Sequence, residues 1–151
     1  MILIEKVLLL KNSTIFGSCS ETDLLEIAAV CQENEEEKDV TIFSKGDDGN
    51  CMYFIYKGEV LIHDGSNRLA ILKENEIFGE LSLLDSETRS ASATTLTDCN
   101  LLKIDQESFY DILASNTEIL KGIMKTICIR LREQDKLNAE LIRLKETGSA
   151  G

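Results

Sequence analysis

The sequence predicts an antiparallel β-sandwich or barrel bracketed by helices at both ends, and three observations carry that expectation. Between residues 40 and 72, short runs rich in Val, Ile, Phe and Tyr are cut at about ten-residue intervals by Gly, Asn and Asp. Ahead of that region and beyond Ser108, apolar residues recur instead at three- and four-residue steps. The 151 residues suffice for one real core, because a chain near that length buries roughly 70% of its unfolded surface.

Taken in order, Ile4 to Leu10 suit a short helix, and Ser20 with Asp23 three residues later gives a capping-box start to a second helix over about 21–32. The amino-terminal helices thus occupy 3–32. The acidic run ENEEEKD (33–39) reads as a solvated exit from the second helix. A β-rich body over 39–105 follows, with strands at VTIF (40–43), CMYFIY (51–56), EVLIH (59–63) and RLAIL (68–72). Gly46, Gly49 and Gly58 are turn formers with no ligand role, and His63 is a solvent-facing strand end. FGELSLL (78–84) neither alternates nor reads as a turn; it suits one or two helical turns set inside the β body. SASATTLTDCNLLKI (90–104) returns to strand propensity.

Helices resume over 106–145, with FYDIL in a short one and a long one from about Glu118 to Lys145. Along the latter, Leu120, Met124, Ile127, Leu131, Leu137, Leu141 and Leu144 form one stripe. Its first half is expected to pack on the β body. The part beyond Gln134 is expected to meet a second copy or a neighbouring segment. One domain over 1–145 and a flexible tail over 146–151 complete the organisation.

The formal charge of −11 gives a net field that repels nucleic acid and anionic lipid, so neither is expected as a partner, although a local cation still binds a small anion at contact range. Five widely spaced cysteines without a CxxC pair read as reduced, mostly buried thiols of a cytoplasmic protein. No apolar run reaches the roughly 18 residues of a membrane span. A single histidine is too few for an imidazole-rich metal centre or for a catalytic base, so no metal, no cofactor and no catalytic residue is expected, and the chain is not read as an enzyme.

The informative segment is FGELSLLDSETRSASA (78–93). Holding a phosphodiester away from water requires a planar cationic fork plus donors aimed at its oxygens, which Arg89 and the amides of a helix start provide. Gly79 lets the backbone come close. Glu80 would repel a phosphate, but it makes sense as the acceptor of a sugar hydroxyl. Ser90 adds a hydroxyl and Ala91 leaves room. The plainer reading of each residue alone is Glu80 as a helix cap and Arg89 as a surface partner of Asp85 or Glu87.

With these residues in view, the segment resembles the phosphate-binding cassette of the cyclic-nucleotide-binding domain family, which includes catabolite activator protein, kinase regulatory subunits and gated channels. Phe78, Gly79, Glu80, Leu81, Leu83, Leu84, Arg89, Ser90 and Ala91 match it without a gap, and Gly46, Gly49, Tyr53, Ile55, Gly58 and Val60 match the family's glycine-punctuated strands. The resemblance covers about residues 5–135.

It implies an eight-stranded double-stranded β-helix, a jelly-roll-like β-roll, with amino-terminal helices and a carboxy-terminal lid or dimerisation helix. It further implies cAMP, in preference to cGMP, as ligand. Arg89, Ser90, Ala91, Leu81 and Ser82 would take the phosphate, and Glu80 with Gly79 the ribose. Ile62, Leu72, Arg130, Leu131 and Gln134 would lie about the base. Thr88 departs from the proline often found before the arginine, leaving the loop less rigid, and Ser90 in place of Thr speaks against cGMP. The expected output is movement of the carboxy-terminal helix, with a homodimer through that helix. A ligand-free dimerisation scaffold of the same fold is the rival. A looser likeness links the chain to domains attached to bacterial membrane transporters or helical-repeat proteins, so a membrane-bound parent is compatible with no direct membrane contact by this chain.

Overall fold

The computed structural model describes residues 1–13 and 15–149. Two four-stranded antiparallel sheets face each other, and helices close one side. Helices α1 (Leu3–Lys11) and α2 (Glu21–Val30) lead into strands β1 (Gln32–Glu36), β2 (Thr41–Phe43), β3 (Cys51–Lys57), β4 (Val60–Asp64), β5 (Asn67–Leu72) and β6 (Ile77–Phe78). A short helix α3 (Glu80–Asp85) precedes β7 (Ser92–Thr95) and β8 (Cys99–Asp105), and α4 (Gln106–Ser115) and α5 (Thr117–Ser149) end the order. One sheet runs β1-β8-β3-β6 and the other β2-β7-β4-β5, the expected eight-stranded β-roll.

The strand period explains why β3 is apolar throughout. Met52 and Phe54 turn to the helical side, where Phe16, Leu24, Ile27 and Phe109 pack on them. Cys51, Tyr53 and Ile55 turn into the space between the sheets, with Val60, Phe78 and Leu101. Alternate side chains on a strand point to opposite faces, so a strand covered on both sides loses the polar half of its pattern. β8 repeats this, with Leu102 and Ile104 toward the helices and Cys99 and Leu101 inward.

The expected cap of α2 is present: Ser20 Oγ accepts from the Asp23 amide at 3.1 Å. Its far end differs from expectation. The helix stops at Val30, Cys31 turns extended, and the acidic run becomes strand β1, paired with β8 from Gln32↔Lys103 to Glu36↔Cys99. The β body therefore begins at residue 32, ahead of the expected 39. Glutamate has little preference for strands, but at a sheet edge it leaves the backbone free to pair inward while the exposed acids discourage pairing with another chain.

Two further corrections concern side chains and ends. His63 is half-buried rather than solvent-facing, with Nδ1 2.9 Å from the Gly65 carbonyl and Nε2 2.8 Å from Thr94 Oγ1. The carbonyl can only accept, so Nδ1 carries the proton. On α5 the face that packs is Ile119 and Ile123, with Ile127 half-buried, whereas Leu120 and Met124 of the anticipated stripe are exposed. α5 continues to Ser149, past the expected end at Lys145; residues 150 and 151 of the anticipated tail lie outside the described residues. No helix among the described residues is long and apolar enough to cross a membrane.

Candidate functional site

Gly79 begins the site. It caps the amino-terminal end of α3 in the left-handed region at φ 79°, and a Cβ there would sit 2.6 Å from Arg89 Nη1. Only glycine takes that conformation without strain, and only its bare Cα lets the arginine come so near. The six residues of α3 then present Glu80, Leu81 and Ser82 at the start of a helix, whose first amides have no partner within the helix.

Arg89 is brought to this helix by its own backbone. Its amide donates to the Asp47 carbonyl at 2.8 Å, its carbonyl accepts from Gly46 at 2.8 Å, and Thr88 bridges to Asp48. That short ladder holds the loop where a proline is lacking. The side chain is 5% exposed. Nη1 donates to the Gly79 carbonyl at 3.0 Å, Nη2 donates to the Cys51 carbonyl at 2.8 Å, and the guanidinium carbon lies 4.1 Å from the centre of the Phe43 ring.

Neither Asp85 nor Glu87 pairs with Arg89, so the surface ion pair is not formed; among the described residues Arg89 makes no ion pair at all. Its Nε is the one buried side-chain nitrogen or oxygen among the described residues that has no hydrogen-bond partner. A buried cation with a donor unspent is costly to leave as it is, and an anion relieves both costs.

A cavity of about 350 Å³ opens beside this group, within the 300–1,000 Å³ typical of small-molecule sites. Its wall contains the expected Gly79, Glu80, Leu81, Ser82, Arg89, Ser90, Ala91, Ile62, Leu72 and Arg130. Leu131 and Gln134 are not in it: both are exposed on α5, and the Gln134 amide donates to Asn138 Oδ1. Sequence reasoning missed Phe43, Glu76 and Ile77, which line the cavity, and Gly49, where a Cβ would run into Ser82 and Arg89. Phe43 ends a three-residue strand with no motif around it, so only its place at the rim of a strand run could have flagged it.

Glu80 is partly buried and pairs with Arg130 of α5 at 3.5 Å, so this ion pair ties the long helix to the site. Phe43 and Phe78 add two aromatic rings to the wall, 5.9 Å apart, and Tyr53, outside the lining, stacks on Phe78 at 5.1 Å. Burial pushes the Tyr53 phenol well above its ordinary value, with the Arg89 charge opposing. Tyr53 is therefore neutral at any ordinary pH.

The model of the cyclic nucleotide-binding domain matches residues 34–116, more than half of the chain. The chain belongs to the cyclic nucleotide-binding domain family. A cyclic AMP receptor protein of Thermus thermophilus is 30% identical over 142 residues, covering 91% of this chain and 65% of the relative. A CRP-like cAMP-activated global transcriptional regulator of Mycobacterium tuberculosis is 29% identical over 139 residues, covering 89% of this chain and 62% of the relative. This chain thus spans less than two thirds of the length of either.

Among solved structures, the amino-terminal domain of a transcriptional regulator from Streptomyces coelicolor superposes with a TM-score of 0.77 at 28% identity, covering 85% of this chain and 94% of that one. The regulatory domain of Toxoplasma gondii PKA, co-crystallised with cAMP, gives 0.68 at 29% identity over 73% of this chain and 44% of that one. The roll of this cyclic nucleotide-binding domain and its flanking helices agree with these neighbours.

Proposed function

We propose that this domain binds cAMP in preference to cGMP and passes the binding on through movement of α4 and α5. The observation that carries the reading is the buried Arg89 guanidinium, unpaired by any described carboxylate and with Nε unspent, on the wall of a cavity that also holds Glu80. In this reading the ring phosphate takes Arg89 and the amides about Leu81, Ser82, Ser90 and Ala91. The ribose hydroxyl donates to Glu80 near Gly79. Ile62 and Leu72 receive the purine, and relatives named for cAMP support adenine.

α5 supplies the lid. Its Arg130 already pairs with Glu80, while Leu131 and Gln134 lie outside the cavity and reach the base by an inward swing of the helix. The path from cassette to helix is polar. Gln106 Nε2 donates to the Leu83 carbonyl at 2.7 Å and to Ser86 Oγ at 2.9 Å, and Tyr110 donates to the Leu84 carbonyl at 2.9 Å. Two α4 side chains therefore grip the far end of α3, and α4 leads into α5 through Asn116 alone. A ligand drives this path only by binding the lidded state more tightly; a hundredfold preference corresponds to about 2.7 kcal/mol.

The exposed Leu137, Leu141 and Leu144 support a homodimer through α5, and the acidic charge supports a chain that does not itself hold nucleic acid. The free cysteines suit a cytoplasmic, reduced setting. Titration calorimetry with cAMP and cGMP tests the central claim. The parent should prefer cAMP, and Arg89→Ala should weaken it at least tenfold, since each charge-assisted bond contributes roughly 1.5–3 kcal/mol. Equal binding by that variant would remove Arg89 from the site; a parent that binds neither nucleotide would leave the scaffold reading in place.

A further inference from the structure

We propose that Phe43 is a positioning residue of the anion site, its ring holding the Arg89 guanidinium flat and dry before ligand arrives. The inference rests on the reading of Arg89 as the phosphate-binding cation. The guanidinium carbon is 4.1 Å from the Phe43 ring centre, well inside the roughly 6 Å over which a cation is drawn to an aromatic face. The ring is itself held, 5.9 Å from Phe78 and 6.4 Å from Tyr53. Phe43 comes from β2 in one sheet, whereas Cys51, whose carbonyl takes Nη2, comes from β3 in the other. The arginine is therefore held through its N–H groups by the Gly79 and Cys51 carbonyls and covered by an aromatic ring from the sheet that does not contain Cys51.

The choice of partner has a chemical consequence. A carboxylate beside Arg89 would neutralise it and occupy the N–H groups that a phosphate needs. A ring face offers negative potential to the cation and consumes no donor, so the charge is stabilised while Nε and the second Nη1 hydrogen stay available. Orphaned Nε fits that arrangement. A donor set fixed in advance loses less freedom on binding, and the covering ring keeps the local dielectric low, which strengthens each bond to the anion.

The test separates this role from packing. Phe43→Leu keeps an apolar side chain and loses the π face; Phe43→Tyr keeps the face; 3,4,5-trifluorophenylalanine keeps the shape and drains the negative potential. Binding of cAMP by calorimetry should fall about 5- to 30-fold for Phe43→Leu, stay within about threefold for Phe43→Tyr and fall between them for the fluorinated ring. In the ligand-free protein the Arg89 Nε–H resonance, shielded by the ring in the parent, should move downfield in Phe43→Leu. Unchanged affinity with the fluorinated ring, or an unmoved Nε–H resonance in Phe43→Leu, overturns the proposal and leaves the cAMP reading intact. A parent that binds no cAMP overturns both. If Phe43→Leu fails to fold, the fluorinated ring decides by itself.

Discussion

Replacing Gly49 by alanine should damage the anion site although residue 49 faces it only through a hydrogen. Its φ is not in the left-handed region, so the backbone accepts a side chain and the whole effect is steric. A Cβ there would lie 2.4 Å from Ser82 Cβ, 2.7 Å from Ser82 Oγ and 2.8 Å from Arg89 Nε, where ordinary contact begins at 3.4 Å. Relief requires a shift of about 1 Å by groups that cannot yield freely: Ser82 is buried on α3, and Arg89 is clamped by two carbonyls and a ring. Overpacking of this kind costs about 1–3 kcal/mol, which for a domain of this size lowers the melting temperature by about 2–12 °C. If Arg89 is the group that moves, the loss of one charge-assisted bond weakens cAMP at least tenfold. Thermal unfolding and calorimetric titration are read together against Gly65→Ala. That control strains a glycine at φ 58° with nothing within 4 Å, so it should lower stability and spare affinity. Parent-like affinity in Gly49→Ala would show that the close approach to Arg89 does not matter to binding, and the steric reasoning would be wrong.

Two further outcomes concern coupling and pH. Removing both grips on α3, Gln106→Ala with Tyr110→Phe, should leave cAMP binding within about fivefold yet abolish most of the ligand-induced change in amide exchange along α4 and α5; a parent-like exchange response would exclude this polar path. The domain should also lose stability at alkaline pH. Burial pushes the Cys31 thiol from 9.0 up to about 12, Lys6 opposing, and raises Tyr53 above 10.0. A group whose pKa is raised on folding contributes stability in full below its unfolded value and loses it as pH climbs toward the folded one. The decline should therefore begin near pH 9 and reach about 2 kcal/mol from Cys31 alone near pH 10.5. Melts from pH 8 to 10.5 check this, and Cys31→Val should flatten the slope; a slope unchanged by that variant would remove Cys31 as its source.

The local alphabet of this chain determined a good deal. The short β-branched runs and their turn residues specified the strands, because a period of two and a turn are properties of neighbouring residues. The cap at Ser20 was legible for the same reason. The clustering of Gly79, Glu80, Arg89, Ser90 and Ala91 was legible because all five lie in one stretch of chain, and the fold needed only to bend that stretch around a hollow. What the tertiary structure alone decided are matters of register and reach. Residues 33–36 of the acidic run belong to a strand because β8 offers them hydrogen bonds, against their own propensity. The packed face of α5 is Ile119 and Ile123 and not the neighbouring Leu120 and Met124, since both sets have helical spacing and only the docked helix selects between them. Gly49, read from sequence as a plain turn former, sits where a Cβ would clash with Arg89 and Ser82, and Phe43 of β2 meets Arg89 just ahead of β7, the strand that pairs with β2. Such contacts join residues far apart in the chain through strand pairing and the packing of loops beside it, and no periodicity along one strand encodes which ring will lie under which guanidinium.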